Sequence, residues 1–199
     1  MSSRQDLELM NGAIDMHVHA HPDVVPRVGD EIEIAESAKK LNMKALLFKS
    51  AAGPNAGRVQ YVNKLIPELK SFGGVVLNPQ VGGINPFAVE SAIKLGAKAV
   101  WMPTTSSKAH IEYLNGGKVS FGYRMLARGK LPSGGLTIFD SDDVLLPEVH
   151  EILGAIKDAN VLLCTGHLSR NEIFALIDEA VVKHYQNQRL SVHQKAVCL

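Results

Sequence analysis

His17-Val-His19 closes a short apolar run, 13–19, and holds the residues best placed to do chemistry in this chain. Alternate side chains of a strand share a face. Asp15, His17 and His19 therefore fall on one face, and Ile14, Met16 and Val18 on the other. Two imidazoles a strand-step apart can chelate one metal ion, and neutral imidazole is a common metal ligand. The plainer alternative is a pair of hydrogen-bonded histidines near a strand end. Buried polar groups without partners are costly, so three on one face call for an explanation. Asp15 suits the task of orienting a ligand histidine or acting beside it.

The elements that must position this pair come from the hydrophobic pattern. Strands are expected at 13–18, 44–48, 74–78, 97–102 and 160–165. Helical spacing marks 31–41, a stretch from an Asn55 cap to about 72 with Pro67 inside it, 88–95 after Asn85-Pro86, and 145–159. A last helix follows Ser169, where Glu172 completes a capping box. The segment 103–139 shows no sustained period and reads as a long insert, with one short strand at 136–139. Apolar strands that alternate with helices imply a parallel α/β sheet. The natural completion is a (β/α)8, TIM-barrel-like fold. Such a barrel needs about 250 residues, and this chain has 199.

In parallel α/β folds, ligands sit at the C-terminal ends of the strands. There stand His17 and His19, then Lys49, Asn78, Pro103-Thr104, and Gly166-His167. His167 is the best third metal ligand; its other reading is a histidine bonded to a loop carbonyl. Lys49 follows three apolar residues. Burial would depress its pKa and let it act as a base. It could also be carboxylated and bridge two metals, clamp a substrate anion, form a Schiff base in a metal-free barrel, or simply pair with Asp15. Arg27, in the loop with His21 and Asp23, could fork a substrate carboxylate or phosphate, although loop charges are more often solvated. His110 lies in the insert within reach of the same end, and Asn78 completes the substrate-binding candidates. His150 reads as an exposed helix residue, and Asp140, Asp142 and Asp143 as caps. The insert also holds Tyr113, Lys118, Phe121, Tyr123, Arg124, Arg128 and Lys130, suited to a lid or a subunit contact. The Gly-rich turns at 51–58 and 81–85 match no P-loop or dinucleotide fingerprint. No Ser-His-Asp or Cys-His arrangement stands out.

Composition narrows the classes. The formal net charge is +1 and 46% of residues are hydrophobic. Near-neutral charge speaks against a nucleic-acid partner. No apolar run approaches the ~18 residues of a membrane span. The start of the chain has no apolar signal segment. Cys164 and Cys198 make no disulfide framework, which suits a reducing cytoplasm. The expected partner is a small-molecule substrate, with homo-oligomer formation open.

With these residues in hand, the chain resembles the amidohydrolase superfamily of metal-dependent hydrolases. Residues 14–23, with His17 and His19, are similar to its first-strand His-x-His motif. Residues 77–86, 99–104 and 165–169 resemble an uncharacterised branch of it, a domain of unknown function. The likeness covers about 13–180. It implies a βα barrel, one or two divalent metals, and a metal-activated water attacking an amide, ester or related bond of a small molecule. Zinc is the first expectation, with manganese, iron or nickel as alternatives. The resemblance also implies metal ligands at His17, His19 and His167 and a strand-two lysine at Lys49.

Two departures follow. Ser50, Ala51 and Ala52 stand where a histidine closely follows that lysine, and the tail lacks any acid after Glu179. The expected organisation is a barrel domain over 1–182, incomplete at the C-terminus, with the insert at about 103–139 and an atypical tail over 183–199. A truncated member and a genuine C-terminal helix both fit that tail. The alternative function is an inactive barrel remnant that binds or oligomerises.

Overall fold

The computed structural model describes residues 5–115 and 134–185. Lys118, Phe121, Tyr123, Arg124, Arg128, Lys130 and Cys198, with the rest of the expected tail beyond 185, lie outside the described residues.

Two three-stranded parallel sheets form the centre. Strand β1 (Ile14–Val18) pairs with β2 (Ala45–Phe48), and β2 pairs with β3 (Lys70–Phe72). Strand β4 (Gly74–Val76) pairs with β5 (Ala99–Trp101), and β5 with β6 (Leu162–Cys164). Only Gly73 separates β3 from β4, so one extended stretch serves both sheets. A side chain at Gly74 would strike the carbonyl of Ala99 and the Trp101 ring, which fixes glycine there. Among the described residues the strands form no closed barrel.

Alternation sorts each strand into two faces. Leu46 and Phe48 of β2 pack with Val18 of β1 on helices α2 (Glu31–Lys40) and α3 (Ala56–Leu65). Val75, Val100 and Leu163 pack on α4 (Pro86–Lys94), α6 (Pro147–Ala159) and α7 (Arg170–Tyr185). The opposite face holds Leu47, Val76, Ala99, Trp101 and Cys164. Full burial of each large apolar side chain contributes about 1.5–3 kcal/mol, so the two helix-backed clusters hold the sheets, and the opposite face adds a smaller buried cluster of its own. A four-residue helix, α1 (Gln5–Glu8), precedes β1.

Local signals set the helix ends. Asp30 and Glu33 form a capping box on α2, and the Asn85 side chain accepts from Phe87 N and Ala88 N at the start of α4. Ser169 and Glu172 bond reciprocally at the start of α7.

Three expectations need correction. The helix from Asn55 ends at Leu65, not near 72. Pro67 disfavours helical backbone at Ile66, which adopts φ −129° and ψ 71°, and 70–72 becomes strand. Asn55 makes no side-chain cap; its Oδ1 accepts from Gly74 N and its Nδ2 donates to Glu31. The insert opens with a helix, α5 (Lys108–Asn115), and Leu136 and Phe139 make only isolated bridges to Ser107 and Leu145.

A histidine-rich candidate active site at the strand ends

Strand β1 is at the edge of its sheet, and its register slips between Asp15 and Val18. One extra residue is accommodated there, as in a β-bulge. Asp15 takes part in the irregularity: its Oδ1 accepts from the His17 backbone N at 2.9 Å. Its carboxylate therefore acts on His17 through the main chain and through its charge. Beyond the slip, Lys49 N donates to Val18 O at 2.8 Å. That bond ties the end of β1, with its histidines, to the end of β2, with its lysine.

The side chains meet accordingly. His17 Nε2 and His19 Nε2 are 3.3 Å apart. Lys49 Nζ lies 3.3 Å from His17 Nε2 and 5.5 Å from the centre of the Trp101 ring. Lys49 is 5% exposed and Trp101 2%. The His17 ring centroid is 6.3 Å from that of Trp101. Trp101 was not singled out from the sequence. Its inward position on β5 follows from the alternation that buries Val100 outward.

His167 reaches this end of the sheet by a tight turn. Gly166 has φ +63°, and a Cβ there would strike the carbonyl oxygens of Met102 and Pro103. His167 N donates to Pro103 O at 2.9 Å, and Ser107 Oγ donates to His167 O at 2.6 Å. Ser107 Oγ also accepts from His110 N at 3.1 Å, in the first turn of α5. One hydroxyl thus sets both histidines, whose Nδ1 atoms are 3.0 Å apart. The serine before Lys108-Ala-His110 and the spacing of Ile111 and Leu114 were the available signals for α5.

The electrostatics keep these imidazoles neutral. Burial pushes His19 down to about 4, reinforced by the charges of Arg27 and Lys49, while Asp23 opposes the shift. Burial also lowers His167 to about 4, with contributions from His110, Lys49 and His17. His17 and His110 are lowered too, each chiefly by burial.

The loop after β1 is organised differently from a set of solvated charges. The Asp23 side chain is fully buried. Its Oδ1 accepts from Val24 N at 2.7 Å, and its Oδ2 from Arg27 Nε at 2.8 Å and Nη2 at 2.7 Å. Arg27 turns its guanidinium to this acid, and its backbone N donates to His21 Nε2 at 3.0 Å. Asp23 Oδ2 is also 3.9 Å from His19 Nδ1, a buried atom with no hydrogen-bond partner among the described residues. Burial of a short loop acid is not visible in a single sequence.

Asn78 is buried, and its carboxamide ties loops together. Its Oδ1 accepts from Thr104 N and Ser106 Oγ, and its Nδ2 donates to Thr104 Oγ1. His150 bonds Glu179 on the helical layer. Asp140 Oδ1 accepts from Asp142 N and Val144 N, a turn-stabilising pattern.

Two nitrogens about 2.0–2.1 Å from one tetrahedral ion stand about 3.3 Å apart. His17 Nε2 and His19 Nε2 have that spacing and are neutral, so the pair fits two positions on a divalent ion. Among the described residues no group of three His, Cys, Asp or Glu side chains meets the geometry of a complete metal site. His167 stands with His110 rather than with the first pair.

A model of a family of unknown function, DUF6282, matches residues 12–198. The chain belongs to that family. No curated protein matches it significantly. Its fold is similar to a crystal structure of an amidohydrolase from Pseudomonas aeruginosa, at 13% identity and TM-score 0.51, over 88% of this chain and 52% of that one. A structure described as a deoxyribose-phosphate aldolase from Coccidioides immitis matches at 12% identity and TM-score 0.45, over 88% of this chain and 57% of that one. The DUF6282 chain thus spans about half the length of these structures. At such identity the first likeness speaks for the fold: mixed α/β with parallel strands, as in βα-barrel proteins. No helix among the described residues is long and apolar enough to cross a membrane.

Proposed function

We propose that this chain is a metal-dependent hydrolase of amidohydrolase type, built on part of a (β/α)8 barrel and acting on an amide, ester or related bond of a small molecule. The observation that carries the reading is the 3.3 Å separation of His17 Nε2 and His19 Nε2 at the C-terminal end of a parallel strand. A bound divalent ion, with zinc favoured by imidazole ligands, supplies Lewis acidity and an activated water.

The chain's own residues supply the rest. Asp15 fixes the backbone at His17. Lys49, held over Trp101, presents a buried cation beside His17 that can hold a substrate oxygen or anion. With a pKa of about 4, His167 is a weak base near neutrality. Its role is then to bind or orient substrate together with His110, rather than to store a proton. A second reading, a metal-free barrel remnant that binds or self-associates, draws on the apolar Ile14 and Met16, 51% and 42% exposed on edge strand β1.

Metal analysis of protein purified without chelator separates the two. The hydrolase reading expects a bound divalent ion that is lost in His17→Ala and in His19→Ala. Equal metal content in the wild type and both variants defeats it.

A further inference from the structure

We infer that Asp23 is a positioning residue for His19. The inference rests on the reading of His17 and His19 as metal ligands. If His19 gives its Nε2 lone pair to an ion beside His17, the neutral ring must carry its proton on Nδ1. That atom is buried and has no hydrogen-bond partner among the described residues. The acid facing it is Asp23, whose Oδ2 is 3.9 Å away and whose side chain is fully buried. This gap exceeds a hydrogen bond, and at that range the carboxylate faces the ring as the nearest buried charge of opposite sign to its N–H. Metal-bound histidines usually donate their second ring N–H to a carboxylate or carbonyl, which fixes the tautomer and strengthens the ligand.

The loop is built to hold this acid. Val24 N donates to Oδ1, and Arg27 Nε and Nη2 both donate to Oδ2. The guanidinium balances the buried charge and holds Oδ2 3.9 Å from His19 Nδ1. The opposite tautomer, with the proton on Nε2, would turn the Nδ1 lone pair toward that carboxylate and repel it. Arg27 therefore acts through Asp23 rather than on the substrate, and the loop after β1 becomes part of the site.

The test measures zinc affinity by chelator competition in the full chain. Asp23→Asn should weaken zinc binding roughly 10- to 100-fold, while Asp23→Glu recovers part of the loss. Arg27→Gln, which loosens the loop but keeps the carboxylate, should weaken it much less. In the zinc-bound wild type, the His19 Nδ1 proton should appear as a hydrogen-bonded, downfield NMR signal that Asp23→Asn shifts upfield. If Asp23→Asn fails to fold, Asp23→Asn with Arg27→Gln removes both charges and makes the same comparison against Arg27→Gln alone. Wild-type affinity in the Asp23 variants overturns the positioning role and leaves the metal reading standing. Failure of the wild type to bind zinc, or equal binding by His17→Ala, overturns both.

Discussion

At the scale of single residues, the site is a set of imidazoles kept uncharged by burial. His19 and His167 titrate near 4, against about 6.5 for a solvated histidine. Between those values the unfolded chain binds more protons than the folded one. Stability is therefore highest above about pH 6.5 and falls as the pH drops toward 4. Thermal unfolding followed from pH 4 to 8 should show this slope, and the double variant His19→Gln, His167→Gln should flatten it. An unchanged slope in that variant would show that other groups control acid sensitivity. The same pair explains how far the site could be read from the sequence. His17, His19 and Lys49 are legible because alternation and parallel strands send the same face and the same strand end to one place. Asp23 is not, because its importance lies in burial by its own loop. Nothing in His21-Pro22-Asp23 distinguishes that from a solvated turn.

At the scale of elements, two devices set the segments around the second pair of histidines. Gly166→Ala places a Cβ against the carbonyls of Met102 and Pro103 in a left-handed conformation. It should destabilise the fold by about 1–3 kcal/mol and disturb the His110–His167 contact, read as a lower Tm and shifted His167 ring signals. The other device is Glu172, 4% exposed, which starts α7 and reaches across to Thr137 and Ile138. Burial alone would raise its pKa, but bonds from Ser169, Thr137 and Ile138 outweigh that and hold the carboxyl below its ordinary value. Its contribution is thus complete above the unfolded carboxyl range and is lost as the pH falls through the folded value. Ser169→Ala should cost about 0.5–2 kcal/mol as a lost cap. Glu172→Gln should cost about 1.5–3 kcal/mol, because it removes charged acceptors on two segments. Denaturant unfolding at pH 7 ranks the two, and an equal or reversed ranking would mean that the tie to 137–138 carries no weight. The cap was readable from Ser169-Arg-Asn-Glu172; the tie was not, because it joins residues 34 and 35 positions apart.

At the scale of the molecule, the site sits at the strand ends of two parallel sheets, each backed by helices on one face. An ion that binds only the folded state stabilises it by about 2.7 kcal/mol at a hundredfold excess over its Kd. For a chain of this length that corresponds to a Tm rise of about 5–10 °C. Zinc should raise the wild-type Tm by that amount, chelator should reverse the rise, and His17→Ala should abolish it. A Tm indifferent to zinc in the wild type would count against any ion held by the folded sheet.

The alternation of apolar strands with helices, the caps at Asn85 and Ser169, and the shared face of His17 and His19 were determined by the sequence alone. Each depends on residues within a few positions of one another, where backbone geometry is enough. Tertiary structure decided the remainder. It ended α3 at Leu65, put a helix at the start of the insert, set Trp101 beneath Lys49, and joined His110 to His167 through Ser107. It also turned Arg27 onto Asp23. These outcomes depend on which distant groups share a buried space, and there the cost of leaving a polar atom without a partner selects the arrangement.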